Sequence, residues 1–76
     1  MITVKLYGLL RLETGVRELQ VDAADWRDLN RKLEQAGLHK QDLKGCYMTH
    51  NGAAKARASK LEDGDVVQLL PPVAGG

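Results

Sequence analysis

Glu62-Asp63-Gly64-Asp65-Val66-Val67-Gln68-Leu69-Leu70-Pro71-Pro72 packs a turn, a strand and a stop into one short stretch. Glu62 to Asp65 read as a turn, since Asp tolerates tight local geometry and Gly accepts positive φ. The run Val66–Leu70 is almost continuously apolar, which predicts a central strand and not an edge. Pro71 and Pro72 carry no backbone N–H, so any ladder ends there and the chain leaves extended.

Working outward, residues 2 to 7 (Ile-Thr-Val-Lys-Leu-Tyr) alternate apolar and polar. They predict a half-buried strand with Ile2, Val4 and Leu6 inward. Gly8 to Gly15 read as a turn region carrying Leu9, Leu10 and Leu12. From Val16 to Asp22 a second strand is expected, with Leu19 and Val21 between charged residues, antiparallel to the first across the Gly15 turn. Asp25 then stands at an N-cap position, with Asp28 adding negative charge to the first turn. Trp26, Leu29, Leu33 and Ala36 recur at spacings of three and four and form one apolar stripe of a helix. Gly37 and Leu38 suit its C′ and C″ positions. Residues 39 to 45 are polar and read as a loop. Cys46 to His50 read as a short strand, Asn51-Gly52 as a hairpin turn, and residues 53 to 60 as a weak exposed edge. The order strand, strand, helix, strand, strand suits an α+β fold with one main helix packed on a mixed sheet. Placing the first and last strands side by side in the centre gives the β-grasp arrangement. Val4, Leu6, Trp26, Leu29, Leu33, Val67 and Leu69 should then share one core.

Composition narrows the chemistry. The 76 residues are 43% hydrophobic and 28% charged, a globular balance whose length suits one domain. A net charge of +1 leaves no global footprint for nucleic acid or a membrane surface. No apolar run approaches the ~20 residues that span a bilayer. The single cysteine cannot pair internally, so a reducing, cytoplasmic setting is expected. Only His39, His50 and Cys46 are of the side-chain types that serve catalysis at neutral pH. The histidines lack cysteine partners at zinc spacing, so no metal site is expected. Cys46 reads more readily as a small strand hydrophobe than as a sulfur-relay thiol. His39, Lys40, Lys44, His50, Lys55, Arg57 and Lys60, interrupted by Asp42, read first as a solvated face and second as a dock for an acidic partner.

Function is expected at the end, Pro71-Pro72-Val73-Ala74-Gly75-Gly76. Two terminal glycines arise by chance in roughly one chain in two hundred at average usage. Four residues beyond Pro72 reach up to about 13 Å. Val73 and Ala74 offer a partner small apolar grips, and Gly75 and Gly76 lack the Cβ that would block entry to a narrow channel. The competing reading is an ordinary frayed terminus.

Taken together, Asn51-Gly52, Asp63-Gly64-Asp65 and Leu69 through Gly76 resemble the ubiquitin-like sulfur carriers, above all the small subunit of molybdopterin synthase. The resemblance implies one ubiquitin-like domain over residues 1–76 with a flexible Gly-Gly tail over 73–76. It implies that the carrier binds no cofactor and is not itself an enzyme. An E1-like adenylyltransferase would use ATP to activate the Gly76 carboxylate. A sulfur donor of the cysteine desulfurase or rhodanese type would convert it to a thiocarboxylate. The large molybdopterin synthase subunit would then accept the tail. Leu70, Pro71, Pro72, Val73, Ala74 and Gly75 would contact these partners. Thiamine-pathway carriers share the Gly-Gly end, protein modifiers of the archaeal type join it to lysines, and a plain β-grasp interaction module would make no use of it.

Overall fold

The computed structural model describes residues 1–54 and 60–72. Among them the order is β1 (Ile2–Leu6), α1 (Gly8–Thr14), β2 (Glu18–Val21), α2 (Trp26–Gln35), α3 (Lys40–Gly45), β3 (Tyr47–His50), β4 (Ala53–Ala54) and β5 (Val66–Leu70). The sheet order is β2-β1-β5-β3-β4. β1 runs parallel to β5, with Val4 beside Val67 and Leu6 beside Leu69, and the remaining pairs are antiparallel. This is the expected β-grasp, with β5 at the centre.

The inward parity of each strand meets α2. Val4, Leu6, Val67 and Leu69 join Leu29 and Leu33, both 0% exposed, in one core with Ile2, Leu10, Val21 and Leu38. α2 is held at both ends, with Asp25 as the N-cap and Gly37 and Leu38 as the C′ and C″ residues the sequence foretold. Asp28 N–H donates to Asp25 Oδ1 at 2.8 Å, and the Asp28 carboxylate in turn accepts from Ala24 N–H at 3.0 Å. At the other end Gly37 N–H reaches Glu34 O and Leu38 N–H reaches Leu33 O, each at 3.1 Å, while Leu38 is buried. That is a Schellman ending with its hydrophobic contact. Asn51 and Gly52 take φ of +52° and +87° and turn β3 into β4, as a two-residue hairpin requires.

Several expectations change. Gly8–Thr14 is a helix and not a turn region, because Leu10 inserts into the core and Thr14 Oγ1 closes the last turn onto Leu10 O at 2.7 Å. β1 and β2 are therefore bridged by α1 and not by a turn at Gly15. Residues 40–45 are likewise a short helix, with Leu43 packed against the core in place of a polar loop. β5 is the central strand its apolar run predicted, with Val67 and Leu69 buried on one face and Val66, Gln68 and Leu70 half-buried on the other. On α2, Ala36 is exposed and Trp26 half-buried at the core's rim, because the stripe turns outward at both ends. The edge segment is observed as β4 over Ala53–Ala54; residues 55–59 lie outside the described part.

Trp26 meets His50 edge to face at 5.1 Å, and His50 Nε2 lies 2.5 Å from Asp65 Oδ2. The His50 ring, the Glu62 N–H and the Asn51 amide hold the Asp65 carboxyl down from 3.8 to about 2. A carboxyl depressed on folding stabilises the native state above its unfolded pKa, and that contribution is lost as pH falls through the folded value. Stability should therefore drop between about pH 4 and pH 2, and Asp65→Asn should flatten that step. Urea midpoints across this range check it; parallel declines in the two proteins would discount the clasp.

Candidate functional site

The central strand ends beside an exposed surface where apolar groups gather. β5 delivers Leu70 to the sheet's outer face, opposite Tyr47 of β3, and Tyr7 follows the β1 residue paired with Leu69. Tyr7, just past the end of β1, thus lies in line with Leu70 of β5 and Tyr47 of β3. Gln68 Nε2 donates to Tyr7 Oη at 3.0 Å, and Gln68 Oε1 accepts from Thr49 Oγ1 at 2.9 Å, so this face carries a chain of hydrogen bonds that orients Tyr7. α1 forms the adjoining wall. Leu9 and Leu12 are 57% and 78% exposed, and with Tyr7, Leu70, Pro71 and Pro72 they line an open depression of about 490 Å³. Contiguous exposed apolar surface of this kind marks an interaction site.

The exit itself is fixed by Gly8. This residue has φ +58°, and a Cβ there would lie 2.9 Å from Pro71 Cγ. A side chain would therefore meet both a left-handed backbone and a proline ring that cannot swing away. Gly8→Ala should cost about 1–3 kcal/mol, the usual range for a non-Gly residue held in a strained region. It should also push Pro71 outward. Denaturant melts and the amide shifts of Leu69 and Leu70 measure the two effects; unchanged stability would mean that the contact relaxes freely.

On the far side of the prolines a hollow of about 180 Å³ is lined by Leu10, Asp42, Gly45, Cys46, Pro71 and Pro72, among others. Cys46 is half-buried there, and burial first, then the Asp42 charge, push its thiol pKa up. A thiol held protonated is a poor nucleophile, which agrees with its reading as a small hydrophobe. His39 stands at the start of α3 without a side-chain cap bond, while His50 is taken up by Asp65 and Trp26. Among the described residues no group of His, Cys, Asp and Glu is placed to hold a metal ion. None of the helices among them is long and apolar enough to cross a membrane.

Of the expected site residues, Leu70 and Pro71 are half-buried and Pro72 is exposed at the rim of the depression. Val73, Ala74, Gly75 and Gly76 lie outside the described residues. Sequence reasoning missed Tyr7, Gly8, Leu9 and Leu12 as site residues. One readable signal was Gly15, whose N–H closes α1 onto Arg11 O at 2.9 Å in the manner of a helix C-cap.

No curated protein matches the chain in sequence. Solved structures do match it over nearly its whole length. A chain of the complex of subunits 1 and 2 of the molybdopterin-converting factor from Helicobacter pylori is 29% identical, with 99% of this chain and 97% of that one covered and a TM-score of 0.75. SAMP1 from Haloferax volcanii is 28% identical over 99% and 98%, with a TM-score of 0.78. A second structure from that organism, small archaeal modifier protein 1, is 25% identical over 95% and 97%, with a TM-score of 0.68. The family model of the ThiS family matches residues 4–76. With the β-grasp sheet, the proline exit and the apolar patch beside it, that match makes the chain a member of the ThiS family of small ubiquitin-like sulfur carriers.

Proposed function

We propose that the chain donates sulfur in molybdopterin synthesis through a thiocarboxylate at Gly76. A Gly76 carboxylate oxygen attacks the α-phosphorus of ATP on an E1-like adenylyltransferase, and pyrophosphate leaves. The terminal sulfur of a persulfide, supplied by a cysteine desulfurase or rhodanese type of donor, then displaces AMP from the acyl carbon. A thiol cleaves the resulting acyl disulfide and releases the thiocarboxylate. Sulfur makes the terminus a better nucleophile than oxygen does, and the large synthase subunit directs it at the pterin precursor. In this cytosolic cycle the chain binds no cofactor and its partners supply the catalysis.

The observation that carries the reading is the exit of β5. A central strand anchored in the core leaves the sheet through Pro71-Pro72 beside an exposed apolar depression, and Val73-Ala74-Gly75-Gly76 follow. That arrangement suits a rigid handle on a slender reactive tail. The choice of the molybdopterin branch is supported by the Pro-Pro-Val-x-Gly-Gly ending and by the likeness to the H. pylori converting-factor chain; a thiamine-pathway role is the neighbouring alternative. A second reading is favoured by the likeness to H. volcanii small archaeal modifier protein 1: Gly76 joined to lysines of other proteins.

Incubation with an E1-like enzyme, ATP and a persulfide donor, followed by intact-mass measurement, tests the first reading through the gain of sulfur in place of oxygen. A ladder on denaturing gels would select the second. Leu70→Asp should weaken binding to the adenylating partner at least tenfold while barely moving the urea midpoint, since Leu70 lies on the outer face where a carboxylate stays hydrated. Equal affinity by calorimetry would remove the strand end from the interface.

A further inference from the structure

The cationic cluster read from the sequence is rearranged by the fold. His50 leaves it for Asp65 and Trp26. Lys40 and Lys44 instead face Arg27 and Arg31 across a groove of about 560 Å³ between α2 and α3, floored by Leu43 and Met48. The stripes coincide with helix geometry: positions 27, 31 and 34 share one face of α2, and positions 40, 43 and 44 one face of α3. Among the described residues four exposed cations surround the groove and Glu34 is the one carboxylate lining it, although the whole chain carries only +1. The nearby acids are engaged elsewhere. Asp28 is paired with Arg31 and Lys32, and Asp42 lines the hollow beside the prolines. Among the described residues Arg27, Lys40 and Lys44 carry no ion pair.

We propose that this groove docks an acidic, amphipathic segment of a partner protein, with its carboxylates on Arg27, Lys40 and Lys44 and an aliphatic side chain on Leu43 and Met48. Charge complementarity selects the acidic occupant, and the apolar floor, with an adaptable methionine, selects a peptide side chain. A nucleic-acid strand would want an aromatic platform for its bases, and none of the described residues lining the groove is aromatic. The site is distinct from the tail's exit, because α3 stands between them: Lys40, Leu43 and Lys44 face the groove, whereas Gln41, Asp42 and Gly45 face the hollow at Pro71 and Pro72. A partner held in the groove leaves the tail free to enter a second protein, so the surface is a handle independent of the Gly76 chemistry.

The test is an amide-shift titration of the full-length, isotope-labelled chain at low salt. The probe is a synthetic helical peptide with leucines along one face and glutamates on its flanks. Saturable shifts are expected around Arg27, Arg31, Lys40, Leu43, Lys44 and Met48. Arg27→Glu/Lys44→Glu should weaken binding at least tenfold, and Leu70→Asp should leave it within twofold. Both reversed residues are exposed, and the variant's own spectrum reports whether it is folded; Lys44→Ala, expected to weaken binding severalfold, serves as a milder second variant. Shifts centred on Tyr7, Leu12 and Leu70, or affinity insensitive to the charge reversal, would overturn the proposal. So would equal binding of the peptide with its leucines replaced by serine. An oligothymidylate that fills the groove more tightly than the peptide would overturn it in favour of a nucleic-acid surface.

Discussion

Deleting Gly76, or adding one residue after it, should slow ATP-dependent thiocarboxylate formation by on the order of 10²-fold or more. In the proposed cycle, adenylation consumes the free α-carboxylate of Gly76. Deletion draws that carboxylate back by one residue, about 3.3 Å, and extension replaces it with an amide and moves the acid outward. Misplacing a reacting atom by about 1 Å can already cost 10²-fold in rate. Gly76→Val keeps the carboxylate in place but adds a branched Cβ, and Gly75→Val acts similarly; both should slow the reaction for a steric reason instead. Folding stability should stay within about ±0.5 kcal/mol, as for surface sites generally, since the core is built from residues 2 to 69. Intact mass over a time course, with a urea melt of each variant, separates the two quantities. A Gly76 deletion that is thiocarboxylated as fast as wild type would end the carrier reading while leaving the fold and the α2–α3 groove untouched.

Leu33→Ala should cost about 2–5 kcal/mol, the range for truncating a buried leucine. Leu33 is 0% exposed and shares the core with Leu29, Val4, Leu6, Val67 and Leu69. These come from the central strands and their helix, so the site cannot collapse to fill the space without moving β1 or β5. A chain of this length has about 4–11 kcal/mol in total, at the common 0.05–0.15 kcal/mol per residue. The variant should therefore melt far below wild type and populate unfolded forms. Reading the urea midpoint and slope together checks that the loss is in stability and not in cooperativity. A variant as stable as wild type would mean that α2 does not bury this face.

α2 was legible because ten residues give its apolar stripe three turns to repeat, and because Asp25, Gly37 and Leu38 punctuate its ends. α1 and α3 were not. A helix of six or seven residues repeats its pattern only once, and isolated helices of that length are unstable in water. Their existence depends on Leu10 and Leu43 finding the core. The candidate site divided the same way. Leu70, Pro71 and Pro72 announced themselves by apolarity and by the loss of backbone donors. Leu9 and Leu12 looked like turn residues until α1 formed and stood them beside β5, and Gly8 looked like an ordinary turn glycine until Pro71 packed onto it.

The sequence by itself determined the alternation of β1, the cap-to-cap extent of α2, the Asn51-Gly52 turn and the halt of β5 at Pro71. Each of these rests on interactions within a few residues, or on a covalent property such as the missing proline N–H. Only the tertiary structure decided that Tyr7, Leu9, Leu12 and Leu70 form one surface, that Gly8 braces the exit of the tail, and that Arg27 and Arg31 confront Lys40 and Lys44. Those groupings join residues distant along the chain, and their geometry is set by strand register and by which helix faces the core claims. Local patterning contains neither until the sheet has closed around β5.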